Sequence, residues 1–149
     1  VKGIQSQGVA ATVKHFALNN KETDRKHSDS RVSERAAREI YLKAFEYVIK
    51  GAKPWAVMSS YNIINGCYAS ENKELLEDIL RDEWGFDGMV TTDWWTLGEH
   101  YKEVKAGNDM KMACGDPKRL KEAMDQGLLT RQDLEHCAER VLNLILKLD

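Results

Sequence analysis

The chain has 149 residues, a one-domain length, with 22 Lys plus Arg against 24 Asp plus Glu and a formal charge of −2. That balance gives no broad positive field for nucleic acid or anionic lipid. The 42% apolar and 31% charged content fits a soluble globular chain and excludes a disordered one. No uncharged apolar stretch approaches the ~20 residues that a membrane span needs.

The pattern alternates apolar, β-branched runs with amphipathic ones. Val9 to Ala17 predicts a first strand, and the charge-rich stretch Asn19 to Val32 a long loop. Ser33 is positioned to cap a helix running to Lys50 on the spacing of Ala37, Tyr41, Ala44 and Val48, with Gly51 as its stop. Trp55 to Tyr61 predicts a second strand. Ser70 is expected to cap a second helix carrying Leu75, Leu76, Ile79 and Leu80, ended by Gly85.

Gly88 to Asp93 predicts a third strand that runs into Trp94 and Trp95, followed by a helix to Ala106. Asp109 to Met112 predicts a short fourth strand. Asp116-Pro117 opens a further helix, with proline where a first-turn residue needs no donor. Thr130 with Asp133 resembles a capping box for the last helix, whose Leu134, Ala138, Val141, Ile145 and Leu148 line one face.

Strands separated by helices imply parallel pairing, hence an α/β fold. No glycine-rich phosphate loop is present, so nothing favours a nucleotide-binding sheet. Polar and aromatic residues gather instead where the strands end: Lys14-His15, Ser59-Ser60-Tyr61, Asp93-Trp94 and Lys111. Sites at strand C-termini are the habit of (β/α)8 barrels, which take ~250 residues when complete. The expectation is therefore a partial (β/α)8 barrel of about four strand–helix units.

Asp93 is the first candidate for chemistry, because a carboxylate ending an apolar strand either reacts, pairs or caps the next helix. Trp94 and Trp95 offer indole faces to a sugar ring, or simply pack. Lys14 and His15 are strand neighbours and point to opposite faces, so both reach one ligand only if the strand ends or bulges there. Without that, they are an exposed lysine beside a satisfied histidine. Met58 and Tyr61 pose the same choice between a strand-end site and plain core. The three cysteines, Cys67, Cys114 and Cys137, form no Cys-x-x-Cys pair and read as reduced. His100 and His136 have no partners at ligand spacing, so no metal site is expected.

Several motifs, taken together, resemble glycoside hydrolase family 3, and within it the β-glucosidases. They are Lys14-His15-Phe16, Ser33-Glu34-Arg35 with Arg38-Glu39-Ile40-Tyr41-Leu42, Met58-Ser59-Ser60-Tyr61-Asn62, Gly85-Phe86-Asp87-Gly88 leading to Thr92-Asp93-Trp94, and Ala106-Gly107-Asn108-Asp109-Met110. The resemblance covers nearly the whole chain. It implies a retaining exo-glycosidase that removes a non-reducing terminal β-linked sugar and needs no cofactor. The four strands are then the fifth to eighth of the barrel, so that residues 1–149 form the second half of the barrel domain.

By the same resemblance, Asp93 is the nucleophile, while Lys14, His15, Met58, Tyr61 and Trp94 bind the substrate. The remaining sugar-binding residues and the general acid/base are then expected outside this chain. Thr92 departs from the Ser many members carry, and Met112-Ala113-Cys114 from their Met-Pro. A β-xylosidase of the same family, or a non-catalytic half-barrel that binds sugar or assists assembly, are the alternatives. The expected partners are a carbohydrate substrate and either a second copy or the missing barrel half, with no nucleic acid and no membrane. The opening Val1-Lys2-Gly3 carries no targeting segment, which leaves the compartment open with a lean to the cytoplasm.

Overall fold

The structure, a computed structural model, describes residues 1–148. Its centre is a three-stranded parallel sheet in the order β1-β3-β6, built from β1 (Thr12–Phe16), β3 (Ala56–Ser59) and β6 (Met89–Thr92). Strands β3 and β6 run in unbroken register from Ala56↔Met89 to Ser59↔Thr92. All four residues of β6 are buried, as expected of a parallel strand covered on both faces. β1 has a neighbour on one side only and alternates exposed with covered residues until Phe16.

Connections between parallel strands need crossovers, and helices supply them. After β1, a short helix α2 (Glu34–Ala36) leads through a π-helical turn, Ala37–Tyr41, into α3 (Lys43–Ala52). Ser33 caps this run as expected, its hydroxyl accepting from the Ala36 amide. The stop is Lys53 in the left-handed conformation, rather than Gly51. Between β3 and β6 lies a π-type helix, Glu74–Glu83, which buries Leu75, Leu76, Ile79 and Leu80. Ser70 does not cap it. Asn72 does, accepting from the Leu75 amide at 3.0 Å, because the Ser70 hydroxyl is turned inward to Glu103. Gly85, at φ +71°, ends the run as predicted.

Helices α4 (His100–Lys105), α5 (Pro117–Asp125) and α6 (Arg131–Leu148) follow β6. Asp116 caps α5 ahead of Pro117, and Thr130 and Asp133 exchange hydrogen bonds as a capping box. The face of α6 differs from the expected stripe: Cys137 is its buried residue, whereas Ala138 and Ile145 are exposed.

Two corrections concern strands. Asp109 to Met112 is not a fourth ladder strand; a single parallel bridge, Thr91↔Met110, joins it to β6. The loop from Asn19 to Val32 contains β2 (Asp29–Ser30), which pairs with β4 (Ile63–Ile64), itself paired with β5 (Cys67–Tyr68) in a small second sheet. Two-residue strands leave too short a pattern to read as period-two alternation. The short helix α1 (Lys2–Gln5) was likewise not anticipated.

The core packs the parallel sheet against these helices through Phe16, Leu42, Val57, Leu76, Leu80, Trp84 and Val90, among others. Phe16 meets Phe45 and Trp84 edge-on at 5.0 and 5.9 Å between ring centroids. This arrangement anchors the residue that follows His15.

Candidate active site

The C-terminal ends of the parallel strands lie side by side, and two adjacent serines tie them together. Ser59 accepts at its carbonyl from the Asp93 amide, 3.1 Å away. Ser60 reaches the other way: its amide donates to the Phe16 carbonyl at 2.8 Å and its hydroxyl to Ala17 at 2.9 Å. Both serines are wholly buried. They were not singled out as site residues; two hydroxyls at the end of a buried apolar strand are the signal that could have marked them.

His15 and Asp93 are brought together by this junction, His15 Nε2 lying 3.6 Å from Asp93 Oδ2. Pairing in β1 slips between Val13 and Phe16, the irregularity required of a strand end that serves a site. Lys14 stands exposed on β1, and Met58 is half-buried opposite Thr91 on β6. Among the described residues neither side chain makes a hydrogen bond or ion pair with Asp93. The candidates brought together are therefore His15, Tyr61, Asp93 and Trp94.

Asp93 is buried, at 6% exposure, and its two oxygens differ. Oδ1 accepts from the Trp94 amide at 2.7 Å, whereas Oδ2 is buried and accepts no hydrogen bond among the described residues. A buried carboxylate oxygen without a hydrogen bond is costly, and such an unpaired group at the end of a strand, beside a histidine, is a candidate for chemistry. Asp93 is not a helix cap: α4 begins only after Glu99, so that alternative falls away. Thr92, in place of the expected serine, uses its hydroxyl to accept from the Met112 amide at 3.0 Å and to donate to its neighbour's carbonyl.

Tyr61 donates its phenol to the Trp94 carbonyl at 2.6 Å. Burial pushes that phenol's pKa up, and the Asp93 charge adds to it, so it remains a protonated donor. Arg25 and Lys26 lie over the Tyr61 ring at 4.6 and 5.0 Å from its centroid. Trp94 and Trp95 form a tilted pair at 5.5 Å, 45% and 57% exposed, so neither is packed away as core. Lys111, expected at a strand end, is instead buried against Glu103 at 2.5 Å. A cavity of ≈ 300 Å³ beside Leu18, Leu42, Ile64 and Leu75 contains none of the candidate residues.

No group of three or more His, Cys, Asp or Glu suited to a metal ion occurs among the described residues. No helix among them is long and apolar enough to cross a membrane. The geometry on these strand ends is that of a buried carboxylate with one open oxygen, a histidine beside it and exposed indoles at its rim.

Known proteins share this arrangement of chain. The chain is 62% identical over 135 residues to "Beta-glucosidase A" of Butyrivibrio fibrisolvens, covering 91% of this chain and 16% of that protein. It is 45% identical over 148 residues to an "Exo-alpha-(1->6)-L-arabinopyranosidase" of Bifidobacterium longum, covering 99% and 20%. The structure of beta-glucosidase 3B from Thermotoga neapolitana in complex with glucose superposes with a TM-score of 0.94 at 44% identity, over 99% of this chain and 22% of that one. The chain thus spans about a fifth of the length of these relatives. The family described as "Glycosyl hydrolase family 3 N terminal domain" matches residues 1–144. The match lies in the family's N-terminal domain, and the chain belongs to glycosyl hydrolase family 3.

Proposed function

We propose that this chain forms part of a retaining exo-acting β-glucosidase, contributing parallel strands and their helices to the (β/α)8 barrel of its N-terminal domain. On this reading Asp93 attacks the anomeric carbon to form a glycosyl-enzyme that water then hydrolyses. The observation that carries it is the buried Asp93 carboxylate with one oxygen held by the Trp94 amide and the other open. An oriented nucleophile with an unoccupied lone pair is what such an attack requires.

Retention needs a second carboxyl ~5–5.5 Å away to protonate the leaving oxygen. On this reading another part of the enzyme supplies it, together with the remaining sugar contacts. Lys14 and His15 donate to sugar hydroxyls, Met58 and Tyr61 shape the pocket wall, and Trp94 borders the ring. The chemistry draws on carboxylates and water, without a metal or organic cofactor. A second reading, a pentopyranosidase, is supported by the 45% identity to an arabinopyranosidase. It stands beside the β-xylosidase alternative, since both act on sugars lacking a hydroxymethyl group.

The test uses the full-length enzyme and a 2-fluoro dinitrophenyl glucoside. Fluorine slows the second step more than the activated leaving group allows the first to be slowed, so an adduct accumulates. Peptide mapping is expected to place it on Asp93, and Asp93→Asn to abolish it. An adduct on another carboxylate, or full activity in Asp93→Asn, overturns the assignment.

A further inference from the structure

The charged loop between β1 and α2 satisfies most of its ions internally. Arg25 pairs with Glu22 at 3.0 Å, His27 with Asp24 at 2.8 Å and Arg31 with Asp29 at 3.1 Å. Lys26 differs. It pairs with no carboxylate among the described residues and spans the sequence to donate its ammonium to the Trp95 carbonyl at 3.0 Å. On the way it lies over the Tyr61 ring at 5.0 Å, beside the phenol that donates to Trp94.

Trp95 is an unusual residue to hold. Its φ of +54° is left-handed, a region a bulky residue occupies only when its surroundings impose it. Two contacts fix its peptide groups: its amide donates to Met112 at 3.3 Å, and its carbonyl accepts from Lys26. With the Tyr61 bond to the Trp94 carbonyl, successive carbonyls after Asp93 are held by side chains from two other segments. Both indoles are left exposed at the rim.

We propose that Lys26 is a positioning residue that fixes the Trp94–Trp95 segment and thereby sets affinity for the leaving-group sugar of a β-linked disaccharide. The proposal rests on the reading of Asp93 as nucleophile: Trp94 then borders the attacked ring, and the exposed pair it forms with Trp95 extends from there to offer a face to the second sugar. On this reading Lys26 acts through the backbone of Trp95, whose carbonyl accepts from its ammonium. A charge-assisted bond to a carbonyl is the stronger kind, and arginine preserves it where methionine keeps only the stem.

The experiment compares Lys26→Met and Lys26→Arg in the full-length enzyme with cellobiose as substrate. Loss of the tether is expected to raise KM about tenfold while kcat changes by less than about threefold, with Lys26→Arg recovering most of the loss. In protein labelled with 5-fluorotryptophan, the Trp95 resonance, assigned through Trp95→Phe, is expected to shift in Lys26→Met and return in Lys26→Arg. An unchanged KM and an unmoved resonance in Lys26→Met overturn the proposal, as does an equal loss in both variants. If the wild-type enzyme forms no adduct on Asp93, the reading of the site fails by itself, and the fluorine resonance still decides the tether.

Discussion

One oxygen of Asp93 is spent on the next amide in the chain, and the other faces His15 without a hydrogen bond. Substrate hydroxyls would complete the donors and acceptors left at this junction. On that reading Lys14→Ala in the full-length enzyme lowers glucose affinity by roughly 10- to 100-fold, the value of one charged hydrogen bond. Unchanged inhibition by glucose would remove Lys14 from the pocket. A second residue-scale prediction concerns His100, whose Nδ1 accepts from the Asp116 amide at 3.2 Å. Burial holds its pKa below the ordinary value, so the folded protein favours the neutral ring. The unfolded chain then binds more protons as pH falls below ~6.5, and stability is lost in that direction. His100→Asn retains an acceptor without the titration, so its melting temperature is expected to fall less between about pH 7.5 and about pH 5.5. Equal slopes in both proteins would refute this. Sequence made Asp93 legible, because a carboxylate after an apolar strand stands out. Ser59 and Ser60 are legible only as polar residues ending a strand; that they bond backbone groups of distant strands is a tertiary fact that no local pattern records.

At the scale of elements, capping is legible in the sequence where its cause is local. Ser33, Asp116 and the Thr130–Asp133 pair all cap as their spacing indicates. Misreadings occurred where tertiary demands override local preference. Ser70 looks like a cap but is recruited by a buried ion pair, its hydroxyl donating to Glu103 at 2.8 Å. Lys111 completes that cluster and also donates to the Gly98 carbonyl at 2.8 Å, pinning the loop after β6 onto the segment that was expected to be a strand. Glu103 is wholly buried, and a buried charge without its partner is destabilising by ~3–5 kcal/mol. Lys111→Met is therefore expected to lower stability by roughly that amount in denaturant unfolding, and adding Glu103→Gln to recover much of it. If the double variant is no more stable than the single one, the pair is not the cause.

For the molecule as a whole, the parallel sheet has three strands among the described residues, with β1 bonded on one side. An open strand edge is a template for pairing, and this one carries little to discourage it beyond Lys14. A second uncovered surface lies on α6, where Leu142, Ile145, Leu146 and Leu148 are 58%, 48%, 71% and 45% exposed. Apolar groups of that size clustered on one helix end mark a surface built to be covered. In the proposed barrel both surfaces meet neighbouring strands and helices of the same enzyme. Produced alone, the chain is expected to cover them by self-association, because a two-fold pairing buries the same patch on each copy. Sedimentation at micromolar concentration should then show dimers or larger species. The two surfaces can be told apart: Leu142→Lys with Leu146→Lys is expected to dissociate the assembly if α6 forms the contact, and to leave it intact if the β1 edge does. A stable monomer with little binding of an apolar dye would show that the chain closes its own surface and needs neither a copy nor a complementary half.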